Sequence, residues 1–145
     1  MDKGKDNYIK VPHGMKDLFP EEKQLWSEIE KVAREEFELS GYFEIRTPVF
    51  EDTRLFIRSI GETSDIVEKE MYTFGDTDDS AITLRPENTA SVMRAYIEYE
   101  LHKSKKFQEF YYIGPMFRKE RTQAARLGQF HQMGIEAIGS YDPLL

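Results

Sequence analysis

Cysteine is absent from all 145 residues. That excludes disulfides and thiolate metal sites and fits a cytoplasmic location. No apolar run approaches the ~18 residues that a membrane-spanning helix needs, and there is no secretory signal pattern. A basic excess is lacking as well. The net charge of −7 argues against a module that grips nucleic acid through phosphates alone, although a local patch can still touch RNA. Only three histidines occur. His13, His102 and His131 are scattered and make no metal motif, so no metal ligands are assigned. Internal repeats, low-complexity stretches and a Gly-x-Gly-x-Gly segment are all missing.

What is present describes one domain. A chain of this length buries roughly 68–70% of its unfolded surface, so a true core is expected. The hydrophobic fraction of 39% against 32% charged fits a soluble, globular protein. Ten phenylalanines and eight tyrosines must largely supply the core. Residues 1–7 are charged and expected to fray.

Pro20, Glu21 and Glu22 suit the first turn of a helix that runs to about Ser40. Leu25, Ile29, Val32, Ala33 and Phe37 fall on one face, and Gly41 stands where a helix should stop. Phe43 to Phe50 alternates as a strand, which Pro48 confines to an edge or an interface. Thr53 can cap a short helix through Ser59. Gly61 to Glu70 reads as a loop. Met71–Phe74 and Ala81–Leu84 read as a hairpin across a turn-rich stretch. Arg85-Pro86-Glu87 opens a second long helix, which runs to about His102 and buries Ala90, Met93, Tyr96 or Ile97, and Leu101.

The chain is organised around Phe110 to Gly139, which reads as two strands joined by a long polar loop. Side chains alternate across a strand. Arg118 and Glu120 therefore share a face, and so do Phe130, Gln132, Gly134 and Glu136. The opposite face, His131, Met133, Ile135 and Ala137, is mostly apolar and suited to a core. An aromatic ring, an amide and a carboxylate on one surface, with Gly134 leaving room between them, suit a flat heterocycle flanked by charged groups.

Blander readings stay open on pattern alone. Arg118 reads equally as an ion-pair partner of Glu120 or Glu136 on a solvated face. Phe130 is by default a core residue. Glu87 is by default an acid in the first turn of a helix. His131, on the apolar face, reads as a core histidine, and Lys103, Lys105 and Lys106 as a solvated helix end.

The segments GYFEIRTPVFEDTRLF, FRKER and GQFHQMGIE resemble the first two motifs of class II aminoacyl-tRNA synthetases. IGETSDIVEKEMYTF, TLRPENTA, YIGPMFRKER and GMKDLFPEE are similar to the histidyl-tRNA synthetases, in that family's order along nearly the whole chain. The resemblance implies an α+β fold in which helices flank an antiparallel β-sheet, with residues 8–145 as the N-terminal part of a class II catalytic domain. It implies that Arg118 contacts the ATP α-phosphate and the attacking carboxylate. Glu120 would hold the adenine amino group, Phe130 would stack on adenine, and Arg126 would reach the outer phosphates. Glu87, Gln132 and Glu136 would hold the histidine ammonium, with Thr89 beside them. Magnesium would accompany ATP, with ligands that spacing does not identify. Pro48 and the first helix would form a homodimer interface, and tRNA(His) would be the acceptor in the complete enzyme.

Two positions depart from the family pattern: Asn88 stands where glycine is usual, and Gly128 where a second loop arginine is usual. The third class II motif and the anticodon-binding domain do not follow. The chain is therefore expected to be the first part of a larger ligase, with an incomplete sheet, and to charge tRNA poorly alone. Two alternatives compete with a ligase fragment. One is a synthetase-like regulatory subunit of histidine biosynthesis that binds histidine without charging tRNA. The other is a dimerisation module that binds no ligand.

Overall fold

A computed structural model describes residues 8–60, 70–75, 81–104, 107–119 and 127–140. The expected frayed start, most of the Gly61–Glu70 loop, Glu120 and Arg126 lie outside the described residues.

The first helix, α1, spans Pro20–Leu39, with proline at its start and Glu21 and Glu22 in its first turn. Gly41 ends it at φ +90°. The Gly41 N–H donates to Glu38 O at 3.0 Å and the Tyr42 N–H to Phe37 O at 3.0 Å, the paired bonds that close a helix through a left-handed glycine. The apolar stripe splits in two. Ala33 and Phe37 are half-buried, and the Phe37 ring meets Tyr111 at 5.3 Å. Leu25, Ile29 and Val32 point outward, at 63, 47 and 56% exposure.

The strand expected over Phe43–Phe50 is two strands in two sheets: β1 (Phe43–Glu44) and β2 (Phe50–Asp52). Pro48 lies between them. Proline supplies no N–H and restricts the residue before it, so the chain leaves one sheet here and enters the other. Next come α2 (Thr53–Ile60), β3 (Thr73–Phe74) and β4 (Ile82–Leu84). The expected hairpin of β3 and β4 forms and is antiparallel. The start of α2 is served by Asp52, which accepts the Arg54 N–H at 2.8 Å. Thr53, expected to cap, turns its hydroxyl to Thr83 at 2.8 Å.

The third helix, α3, spans Thr89–Glu98, shorter at both ends than the expected Arg85–His102. Asn88 is its N-cap. Glu100 adopts a left-handed φ of 51°, which stops the helix and sets Leu101–Lys103 apart as a 3-10 turn. The buried face is Ala90, Ser91, Val92 and Ala95, whereas Ile97 is 65% exposed. Arg94 reaches back to the buried Glu51 at 2.9 Å, which ties α3 to β2.

The central pair, β5 (Gln108–Phe117) and β6 (Gln129–Ile138), forms as expected. It is antiparallel over ten paired positions, including Tyr112 with Gly134 and Met116 with Phe130. The edge strand β1 joins β5 in parallel, giving the sheet order β1-β5-β6 beside a second sheet β2-β4-β3. Val92, Tyr112 and Met116 form the core, with Ile45, Phe110, Phe130 and Ile138 packed around them. The core thus lies on the Phe130 side of β6. The side expected to be the core faces α1, where His131 meets Trp26 at 5.0 Å. Met133 and Ile135 remain 38 and 49% exposed there.

Candidate active site

One turn, Pro86–Thr89, organises the site. Pro86 offers its carbonyl to Arg118 Nε at 3.0 Å. Arg118 follows the end of β5, and its backbone N–H continues the ladder to Gly128 O at 2.9 Å. Its guanidinium carbon lies 5.1 Å from the centroid of the Phe130 ring. Cation and ring therefore share one side of the sheet. Phe130 packs on the core without being fully buried.

At the other end of the turn, Glu87 accepts the N–H groups of Thr89 at 2.6 Å and Ala90 at 3.0 Å. Glu87 precedes the N-cap Asn88 and so is not the first-turn acid of the bland reading, yet its carboxylate still serves the start of α3. A carboxylate has about four acceptor positions, so two remain. The Thr89 hydroxyl donates to Glu136 Oε1 at 2.7 Å, which brings the two acids together around one threonine. Gln132, on the same face of β6, keeps a buried Oε1 that has no hydrogen-bond partner among the described residues. A buried acceptor left without a donor costs about 1–3 kcal/mol and is a natural place for a ligand N–H.

Tyr112 was not legible as a site residue. It lies opposite Gly134 in register, and its ring covers the glycine. A Cβ at Gly134 would stand 2.6 Å from the phenol oxygen. The space expected above Gly134 is therefore filled by this chain's own tyrosine. A large aromatic paired with a glycine is the signal that strand register would have supplied. Burial pushes the Tyr112 phenol above its ordinary pKa of 10.0; Thr89 lowers it, and the nearby charges of Glu136 and Glu87 raise it. The folded state thus favours the neutral phenol. Its contribution is fully present below pH 10.0 and is lost as pH rises through the higher folded value. Thermal melts from pH 8 to 11 should show a steeper alkaline loss for the unsubstituted chain than for Tyr112→Phe. Tyr111 is present in both, so the difference isolates Tyr112.

The two departures from the family pattern have structural meaning here. Asn88, 1% exposed, accepts from the Thr47 hydroxyl at 2.7 Å and from Arg85 Nη1 at 3.2 Å. Gly128 is buried, and a Cβ there would meet the Tyr72 hydroxyl at 3.0 Å. Its N–H donates to Gly14 O at 2.7 Å. An arginine at this position would need Tyr72 to move. Among the described residues no three acidic or histidine side chains converge as metal ligands.

A family model described as histidyl-tRNA synthetase matches residues 14–144. The chain is 56% identical over 137 residues to the histidine–tRNA ligase of Solibacter usitatus, a match covering 94% of this chain and 33% of that protein. It is 42% identical to a crystal structure of apo S. aureus histidyl-tRNA synthetase, with a TM-score of 0.74, covering 94% of this chain and 31% of that one. A Bacillus halodurans structure titled as an ATP phosphoribosyltransferase regulatory subunit/histidyl-tRNA synthetase is 26% identical. Its TM-score is 0.75, covering 97% of this chain and 35% of that one. The chain thus spans about a third of the length of the proteins it matches. The family model spans almost the whole chain, including the strands that bear Arg118 and Phe130 and the turn that bears Thr89, and the chain belongs to the histidyl-tRNA synthetases.

Proposed function

We propose that this chain is the part of a cytoplasmic histidine–tRNA ligase that binds ATP and histidine. The observation that carries the proposal is the Pro86–Thr89 turn, which touches Arg118 at one end and joins Glu87, Thr89 and Glu136 at the other. Arg118 and Phe130 take the nucleotide. Glu120 and Arg126, outside the described residues, take the adenine amino group and the outer phosphates. Glu87, Thr89, Gln132 and Glu136 take histidine. Gln132 and Glu136 are four residues apart, about 13 Å along the strand, and Gly134 lies between them under Tyr112. Such a spread suits a ligand with N–H groups at both ends, and histidine has an ammonium and an imidazole.

In the complete ligase the histidine carboxylate attacks the α-phosphorus of ATP and pyrophosphate leaves. The resulting histidyl-adenylate then passes its acyl group to tRNA(His). The nucleophile is already ionised, so no side chain must act as base. The protein's task is positioning and neutralising charge on phosphate oxygens. A planar guanidinium with several donors suits that task better than an ammonium. Magnesium would ride on the phosphates of its nucleotide.

Calorimetric titration tests the proposal. Histidine, ATP and a histidyl-adenylate analogue should each bind, and Glu136→Gln should abolish the histidine signal. The resemblance to the Bacillus halodurans protein favours a second reading, a histidine-binding regulatory subunit. That reading expects heat from histidine and none from ATP. The cation–ring pair speaks for the ligase.

A homodimer is part of the same proposal. Pro48 is exposed, and the outward stripe of α1 leaves Leu25, Val32 and Leu39 more than half exposed. An apolar stripe of this kind favours a protein partner, here a second copy. Sedimentation should find dimers that Val32→Glu converts to monomers without loss of helix content.

A further inference from the structure

Arg85 is 6% exposed, and no carboxylate pairs with it among the described residues. Its guanidinium instead collects oxygens from three separate segments. Nε donates to Pro115 O at 3.0 Å. Nη1 donates to Thr47 O at 3.0 Å, Thr47 Oγ1 at 3.1 Å and Asn88 Oδ1 at 3.2 Å. Its backbone is pinned as well: the N–H donates to Val49 O at 3.0 Å, and its carbonyl accepts the Phe117 N–H at 3.0 Å. Gly114 makes room for the group, since a Cβ there would stand 2.7 Å from Nη2. Burial lowers the pKa of the guanidinium, and the charge of Glu51 opposes that effect.

A buried cation with no carboxylate in contact is costly, and hydrophobic residues of like volume are often the more stable choice. What this one accomplishes is geometric. It joins the segment after β1, the strand β5 and the N-cap of α3. Pro86, which positions Arg118, follows it directly, and Glu87 and Thr89 come next.

We propose that Arg85 is a positioning residue, which locks the Pro86–Thr89 turn and thereby sets the spacing between the nucleotide cation and the acidic histidine pole. What the turn holds rests on the function proposed above; the locking itself does not.

The test combines amide hydrogen exchange with histidine titration on the full chain and three variants. Arg85→Gln should speed exchange at the Thr89 and Ala90 N–H groups about tenfold, the effect of losing a buried hydrogen bond. Amides of the β5–β6 ladder should keep their protection. Arg85→Lys, with fewer donors, should restore part of that protection. Gly114→Ala is the milder variant. It retains the charge and displaces the guanidinium into the adjoining cavity of about 340 Å³ lined by Thr47, Asn88 and Tyr112. It should open the same two amides. Histidine affinity should fall in step with the opening.

Unchanged protection at Thr89 and Ala90 in Arg85→Gln would overturn the positioning role, and so would acceleration spread evenly through the ladder. Opened amides with undiminished histidine affinity would overturn it too. Absence of histidine binding by the unsubstituted chain would instead overturn the functional reading.

Discussion

Gly134→Ala is expected to destabilise the chain by about 2–3 kcal/mol, the cost of forcing a group into a packed core. The added Cβ would stand 2.6 Å from Tyr112 Oη, 2.7 Å from Cζ and 3.2 Å from Cε1. Two of these are ring atoms, so no hydroxyl rotation relieves the clash. The ring cannot swing away, because Tyr112 is 5% exposed and packs with Val92 and Met116. Nor can the strand slip. A shift of one residue would exchange the faces of β6 and break the Thr89–Glu136 bond. Urea melts should show the loss as a lower midpoint with an unchanged slope. Tyr112→Leu alone leaves a cavity, but combined with Gly134→Ala it should cost less than the two singles together, a coupling of about 1 kcal/mol or more. The alternative is that Gly134 serves only to admit a ligand. In that case Gly134→Ala would weaken histidine binding and leave the melt where it was.

That contrast bears on what the sequence could reveal. Alternation sorted the two faces of β6, but only the register with β5 places Arg118 on the side of Phe130. The same alternation put the interior on the more apolar face, His131, Met133, Ile135 and Ala137, and the structure overturns that choice. The polar face is where α3 packs, so Phe130 borders the core while Met133 and Ile135, on the apolar face, stay exposed. The start of α1 was legible from Pro20 and its acids, and its end from Gly41, whereas Arg85-Pro86-Glu87 marked the start of α3 too early. The end of α3 was not legible, because the left-handed residue is Glu100, with neither glycine nor asparagine to mark it. The break at Pro48 was legible as a restriction on pairing but not as a change of sheet, which depends on β4 and β5 offering separate partners. Arg85 read as a helix opener and Asn88 as a departure from the family pattern, and the burial of both was missed for a related reason. A charged and an amide residue read as surface groups until the Thr47, Pro48 and Pro115 oxygens close around them. TLRPENTA was legible as a family segment, whereas the physical work of the Pro86–Thr89 turn within it emerged only from the contacts.

Arg118→Ala should remove nucleotide affinity most severely of any single change in the described site. A hydrogen bond to a charged partner contributes about 1.5–3 kcal/mol, so losing the contact to one phosphate weakens ATP by about 10- to 100-fold. The histidyl-adenylate analogue should suffer equally, since it retains the α-phosphate. Free histidine should lose least, because the residues proposed to hold it, Glu87, Thr89, Gln132 and Glu136, do not include Arg118. Arg118→Lys separates charge from shape. The ammonium keeps the attraction, but it cannot donate to Pro86 O through Nε and present a flat fork at the same time. It should recover part of the affinity, not all of it. Phe130→Leu tests the ring. Stacking on the guanidinium contributes about 0.5–1 kcal/mol at an accessible position, and the adenine platform is lost with it, so ATP should weaken while free histidine is untouched. In the double variant the two losses should fall short of their sum, because each residue holds the other in place. If Arg118→Ala bound ATP as the unsubstituted chain does, the cation over Phe130 would be a structural ornament of the sheet, and the nucleotide would have to lie elsewhere.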